Sequence, residues 1–382
     1  MTIAEKFKTT RSYTEKLCSP LNTEDYVIQM STFTSPTKWH IAHTTWFFEE
    51  FILKSFAKNY VQFDEHFNFI FNSYYNNSGK RINRADRGKI SRPTVGEVFA
   101  YRKHVNEAML NLLAQNPNEK VLELLTLGIN HEEQHQELMI TDLKYMLGSN
   151  PLLPVYQEDF NLTNDENLST GFVAIEEGVY EIGYQGKAFC YDNELGVHKV
   201  YLQDFEISQS LVTNGEFIEF IESGGYEDFN LWLEEGLRWK EENQIKCPLY
   251  WEKMGNIWYH YTLSGLQKVN PNTILTHISF YEASAYAEWK AMRLPTEFEW
   301  EIASEKLQWG QRWEWTNSDY LPYPNFKKTK GAVGEYNGKF MDKQKVLRGA
   351  SVATSKNHSR KTYRNFFYSE DRWQFTGIRL VK

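Results

Sequence analysis

His131-Glu132-Glu133-Gln134-His135 sets two imidazoles four residues apart. On an α-helix such positions lie about 40° apart around the axis, so both rings can converge on one metal ion. The string also fits H-E-x-x-H, the zinc-protease pattern in which the glutamate is the general base. The extended protease pattern needs a glycine and a third histidine further along, whereas here Gln136-Glu137-Leu138-Met139 follows. The next carboxylates, such as Glu158, fall past Pro151 and Pro154, so a glutamate ligand from a following helix fares little better. A third imidazole is available upstream in SPTKWHIAHTTW, where both His40 and His43 are candidates. Three neutral imidazoles suit Zn, Fe, Cu or Ni and leave positions open for substrate. Spacing alone chooses neither between His40 and His43 nor among the metals.

Helices must bring these histidines together, and the first 147 residues read as helices. Residues 3 to 18 are rich in helix formers, and a second segment from about Thr37 to Ala57 repeats Trp39, Ala42, Trp46, Phe47, Ile52 and Leu53 near helical spacing. A third opens at Pro93-Thr94, where Glu97 completes a capping box, and runs to about Gln115. The fourth runs from about Glu119 to Leu147 and stops at Gly148. Four long amphipathic helices predict a bundle. The connection over residues 58 to 92 is too long for a turn and carries FNSYYNNSGKRINRADRG, the kind of loop that is often functional. Residues 151–170 read as a linker between a helical domain, 1–150, and a second domain, 171–382. There, β-rich stretches (GVYEIGY, HKVYLQDFEIS, KVLRGASVA, FTGIRLV) alternate with two short helices, capped by Thr213 with Glu216 and by Thr296 with Glu299. An α+β domain held largely by aromatic packing is expected.

Composition narrows the function classes. The chain has 382 residues, more than one core usually serves at roughly 150 residues per domain. A net charge of -8 provides no overall basic field for nucleic acid or an anionic membrane. Cys18, Cys190 and Cys247 are odd in number, far apart and without C-x-x-C, which argues against a disulfide framework and points to a reduced, cytoplasmic protein. No apolar run approaches 18 residues, so no membrane span or targeting segment is read. The 16% of aromatic residues is the unusual feature.

The pairing of Trp39-x-x-Ala42-His43 with His131-x-x-x-His135-x-Glu137, followed by RLPTEFEWE, WEWTNSDYLPYPNF, GEYNGKFM, VLRGAS and TYRNFF, closely resembles the ergothioneine-pathway sulfoxide synthases, the hercynine oxygenases. The resemblance implies a DinB-like four-helix bundle followed by a formylglycine-generating-enzyme-like domain of the C-type-lectin type. It implies a non-haem Fe(II) site on His43, His131 and His135, with no metal role for His40. Gln134 resembles the residue beside the substrate imidazole, and Glu137 is a candidate to orient a ligand histidine. Tyr74-Tyr75 resembles a tyrosine pair that supplies the active-site phenol, a group able to donate a proton. Arg84 and Arg87 resemble the basic pair that grips the carboxylate of the thiol substrate, with Arg81 near enough to share the task. Asn365 and Phe366 are expected near the trimethylammonium group of hercynine, which aromatic faces hold best.

Phe367 stands where another branch of the family carries an aspartate that holds γ-glutamylcysteine, so free L-cysteine is the expected sulfur donor. The implied partners are hercynine, L-cysteine and O2, with Fe(II) as cofactor and no nucleic acid, membrane or obligate protein partner. The alternatives are a synthase using histidine, as in ovothiol formation, or a selenosugar, as in selenoneine formation. A DinB-type metal-dependent thiol S-transferase and a lectin-type module that only binds a ligand also stand. Formylglycine generation itself needs paired cysteines, which this chain lacks, and Cys247 reads as structural.

Overall fold

The computed structural model describes residues 1–73, 81–160, 170–327 and 337–382. Contacts divide the chain into two compact units. The first comprises Met1–Gln157 together with the segment Thr354–His358, and the second takes most of the remainder from Glu158 onward.

The helical unit contains α1 (Ile3–Cys18), α2 (Thr37–Phe48), the short turns α3 (Lys54–Phe56) and α4 (Phe67–Phe71), α5 (Val95–Leu113) and α6 (Glu119–Gly148). The starts are written locally: Thr2 with Glu5 and Thr94 with Glu97 form capping boxes on α1 and α5, and the Asn118 side chain caps α6. The long helices fall within a few residues of the sequence expectation, except that α2 passes into a π-helical turn at Glu49–Leu53. α1 packs on α6, and α2 packs on both α5 and α6.

α2 is buried on every face, from Thr37 to Phe48. A helix carrying Lys38, His40 and His43 tolerates this because its polar groups have partners. Lys38 Nζ donates to the carbonyls of Ser91 (3.2 Å) and Pro93 (2.8 Å), and the Thr45 hydroxyl donates to Ile41 O at 2.8 Å. Its contact with α6 is close because residue 128 is glycine. A Cβ there would meet Phe48 Cε1 at 2.5 Å and Phe47 Cε1 at 3.0 Å. Three residues beyond Gly128 stands His131, so this close approach sets the distance between the two histidine-bearing helices.

The second unit is α+β. Strands β1 (Phe172–Ile175) and β4 (Phe205–Ser208) pair antiparallel, as do β2 (Gly178–Ile182) and β3 (His198–Leu202). β5 (Trp251–Met254), β6 (Ile257–Thr262) and β7 (Gly265–Lys268) form a meander. A four-stranded sheet runs in the order β10-β9-β8-β11, from β8 (Trp313–Asp319), β9 (Lys345–Gly349), β10 (Asn365–Phe367) and β11 (Thr376–Gly377). Four helices accompany them: α7 (Asn214–Glu222), α8 (Glu234–Glu242), α9 (Phe280–Trp289) and α10 (Glu297–Ala303). The sequence reading expected only α7 and α10 here. α9 does carry a capping box, Ser279 with Glu282, but it lies in a stretch whose density of aromatic residues hides the helical period.

Aromatic side chains fill this core, with Phe217, Phe220, Tyr286, Trp313 and Trp315 nearly or wholly excluded from solvent. Guanidinium–carboxylate pairs tie the layers. Arg379 binds Glu314 through two donors (2.5 and 2.8 Å), and Glu297 accepts from both Arg364 (2.8 Å) and Arg348 (3.0 Å). The cost of taking such charges out of water is offset best where further donors are satisfied too, as those of Arg364 are by Asn193 O (3.0 Å) and Leu321 O (2.8 Å).

Candidate metal centre

α2 and α6 bring His43, His131 and His135 together, with one potential ligand nitrogen from each ring within 4.8 Å of the others. The ring centroids are 4.9 Å apart for His43 and His131, 4.8 Å for His43 and His135, and 4.6 Å for His131 and His135. His43 Nδ1 lies 2.6 Å from Phe71 O, one of the carbonyls that the end of α4 leaves without a helical partner. That contact places the proton on Nδ1 and leaves the Nε2 lone pair. α4 is itself fastened to α2, because Trp39 Nε1 donates to Ile70 O (3.3 Å) and Trp46 Nε1 to Asn68 Oδ1 (2.8 Å). His131 Nδ1 is buried with no hydrogen-bond partner among the described residues.

Burial makes these rings poor bases. His43 and His135 are held well below the ordinary imidazole range, first by desolvation and then by the neighbouring His131. Desolvation likewise pushes His131 down to about 4. All three are therefore neutral at pH 7 and offer lone pairs, the form in which imidazole binds a metal. His40 is also lowered by burial, against the opposing effect of its hydrogen bond to the Asp142 carboxylate.

Glu132, the glutamate of the H-E-x-x-H string, does not act as a base here. It is wholly buried and accepts from Arg11 Nη1 (2.8 Å), Arg102 Nη2 (2.7 Å) and the Thr14 hydroxyl (2.6 Å). Although burial alone would raise it, Arg102 and Arg11 hold its carboxyl down to about 2. It is an ionised structural anchor between α1, α5 and α6, and the protease reading loses its general base.

The other expected site residues are distributed as follows. Gln134 is half-buried on α6, on the turn between the two histidines. Arg84 and Arg87 both lie on the 3-10 turn Arg84–Lys89. Arg87 is buried, with Cζ 3.3 Å from the centre of the Trp39 ring, and donates to the hydroxyls of Ser35 and Ser73 at 2.8 Å. Trp39 in turn stacks on His43 at 4.5 Å and 13°, so Arg87, Trp39 and His43 share one stack. Arg84 is partly buried, and exposed Arg81 donates to Ser73 O at 2.8 Å. Tyr74 and Tyr75 lie outside the described residues.

In the second unit, Asn365 and Phe366 pair on β10 with Leu347 and Val346 of β9. Phe366 stacks on Tyr320 (4.2 Å, 12°) and on Phe340 (5.6 Å, 27°). Tyr323, another phenol of this unit, bridges Glu297 (3.1 Å) and Arg348 (2.7 Å), a structural role.

Two features escaped the sequence reading. His40 and Asp142 form a hydrogen-bonded pair behind His135; Asp142 follows His135 by seven residues, two helical turns, a signal visible in the spacing. The other is the segment around Thr354, whose hydroxyl donates to Glu137 Oε2 at 2.9 Å. In the same segment, Ser355 Oγ donates to Gln136 Oε1 (2.8 Å), and His358 Nδ1 lies 3.0 Å from Glu133 Oε2. No helix among the described residues is long and apolar enough to cross a membrane.

Comparison with known proteins matches residues 6–139 to the DinB superfamily and residues 159–312 to the sulfatase-modifying factor enzyme 1-like domain. The hercynine oxygenase of Mycobacterium tuberculosis is 26% identical over 346 residues, spanning 78% of this chain and 80% of that enzyme. The ergothioneine biosynthesis protein 1 of Schizosaccharomyces pombe is 24% identical over 254 residues, 56% of this chain and 30% of that protein. The formylglycine-generating enzyme of Thermomonospora curvata is 28% identical over 177 residues, 43% of this chain and 58% of that enzyme. With both domains in the same order and an alignment that runs through the two of them, the chain is similar to the hercynine oxygenases across both of its domains.

Proposed function

We propose that this chain is an Fe(II)- and O2-dependent sulfoxide synthase that joins the sulfur of L-cysteine to the imidazole ring of hercynine. The observation that carries the reading is the convergence of three neutral, desolvated histidines from two tightly packed helices. The donor set fits the ion: His43 Nδ1 is engaged by a carbonyl so that Nε2 is left, and His131 keeps a buried nitrogen with no hydrogen-bond partner among the described residues. Three imidazoles without a thiolate suit iron in a site with open positions. Bound there, Fe(II) would supply the redox chemistry of O2 reduction. The electron count closes without another reductant. Forming the C–S bond removes two electrons, oxidising the sulfur removes two more, and O2 takes all four, with one oxygen kept in the sulfoxide and one released as water.

The chain's own residues would bind and orient. Arg87, a cation stacked beside His43 through Trp39, suits the cysteine carboxylate, with Arg84 on the same turn. Gln134 projects from the turn between two ligand histidines and can hydrogen-bond the hercynine ring. The ring faces of Phe366 and its neighbours suit a quaternary ammonium, which accepts no hydrogen bond. The phenol of Tyr74 or Tyr75 would supply a proton during O2 reduction, and binding both substrates in one place would provide proximity. Phe367 on β10 in place of a charged side chain supports free cysteine as the donor.

The test is a substrate panel on the Fe(II)-loaded full chain. Hercynine with cysteine should give a product of their summed mass plus one oxygen less two hydrogens. Stronger turnover with histidine, γ-glutamylcysteine or a selenosugar would reassign the substrate, and thiol transfer with zinc or nickel in the absence of O2 would make the chain an S-transferase.

A further inference from the structure

His40 lies one turn before His43 on α2 and is 2% exposed. Its two ring nitrogens meet different groups. Nδ1 stands 2.9 Å from Nδ1 of His135, and Nε2 stands 3.1 Å from Asp142 Oδ2. The same carboxylate oxygen accepts the backbone N–H of Ser35 at 2.9 Å, which fixes its position.

Two nitrogens at hydrogen-bond distance must divide the roles, one bearing the proton and the other a lone pair. A neutral imidazole carries a single N–H. If His40 donated from Nδ1, its bare Nε2 would face a carboxylate oxygen, lone pair against negative charge. His135 would then hold its proton on Nε2, the nitrogen left for a metal. The opposite arrangement satisfies every group: His135 Nδ1–H donates to His40 Nδ1, and His40 Nε2–H donates to Asp142. Here the Nε2 lone pair of His135 is free.

We propose that Asp142 and His40 are positioning residues that select the Nδ1–H tautomer of His135 and so present its Nε2 to the metal. The inference rests on reading His135 as a ligand. It explains why a charged carboxylate is buried two turns beyond His135, 5% exposed, against a second helix. Outer hydrogen bonds of this kind orient ligand histidines and raise their basicity, and their loss typically weakens metal affinity by about 10- to 100-fold.

The experiment uses the full chain with 15N-labelled histidine. Two-bond proton–nitrogen correlation spectra of the metal-free protein report the tautomer of His135, assigned by its loss in His135→Ala. The wild type should show Nδ1–H. Asp142→Leu and His40→Phe should shift His135 toward Nε2–H and weaken Co(II) binding, read from its visible absorption, by about 10- to 100-fold. Asp142→Asn keeps an oxygen acceptor and should retain the wild-type tautomer. An Nε2–H His135 in the wild type would overturn the proposal whatever the variants do. An unchanged tautomer in Asp142→Leu and His40→Phe would overturn it equally. Co(II) binding that survives His135→Ala would sink the metal-site reading instead, while the spectra still decide the relay.

Discussion

Glu132→Gln separates the structural reading of the histidine helix from the protease reading. The wild-type carboxylate is 0% exposed and lies between Arg11 and Arg102, themselves 2% and 0% exposed. Glutamine keeps the shape and one acceptor but removes the charge, leaving two buried guanidiniums to share what remains. Removing one partner of a buried pair typically costs about 3–5 kcal/mol. Arg102 retains Glu15 at 3.0 Å, a half-exposed partner, and the Arg11 carbonyl's acceptance of its Nη2 at 2.7 Å. The lower end, about 3 kcal/mol, is therefore expected. At a urea m-value of about 2 kcal/mol/M this moves the unfolding midpoint of the helical unit down by about 1.5 M. Far-UV circular dichroism follows it, since the long helices lie in that unit.

The pH dependence has a definite sign. Glu132 is held at about 2, below its ordinary 4.5, so its contribution is fully present above 4.5 and is lost as the pH falls toward 2. The gap between wild type and Glu132→Gln should narrow over that window. A variant as stable as the wild type at pH 7 would refute the anchoring role, and one that folds normally yet loses only a hydrolytic activity would restore the general base.

Gly128→Ala should destabilise the helical unit by up to about 2 kcal/mol, because an overpacking cost of about 1–3 kcal/mol against Phe47 and Phe48 outweighs the roughly 1 kcal/mol of added helix propensity; a net gain in urea stability would show that α2 and α6 can part without cost. Metal affinity, measured by Co(II) titration, should stay flat from about pH 8 to 6 and fall only as His131 begins to protonate toward about 4; a decline centred on the ordinary imidazole value of about 6.5 would contradict the desolvated site. Arg87→Met should raise the KM for cysteine by about 10- to 100-fold, the loss of a charged hydrogen bond worth roughly 1.5–3 kcal/mol, with kcat little changed; an unaltered KM would release Arg87 from substrate binding.

Much of the helical unit was legible because its signals are local. Thr94 with Glu97 marks a helix start whatever surrounds it, and the His131/His135 spacing fixes a shared face before any tertiary contact is known. What stayed hidden depends on contacts across the chain. The apolar stripe of α2 suggests one buried face, yet the opposite face is covered too, and that turns His40 into the partner of Asp142, 102 residues away. Glu132 reads as a base from its motif, but Arg11 and Arg102 arrive from other helices and change its role. In the second unit, α9 was missed because aromatic residues lie on more than one face and blur the helical period, and α8, EEGLRWKEE, because it is charged nearly throughout and carries almost no apolar stripe. The excess of aromatics itself proved mainly a packing device, with Phe366, Tyr320 and Trp39 as its members beside expected site residues.

The central claim is tested most directly by loading the chain anaerobically with Fe(II), mixing it with hercynine and cysteine, admitting air and following O2 together with product mass. One O2 should disappear for each sulfoxide formed, and iron-free protein should consume none. Stoichiometric iron with no substrate-dependent O2 uptake, for hercynine, histidine or any related betaine, would contradict the account.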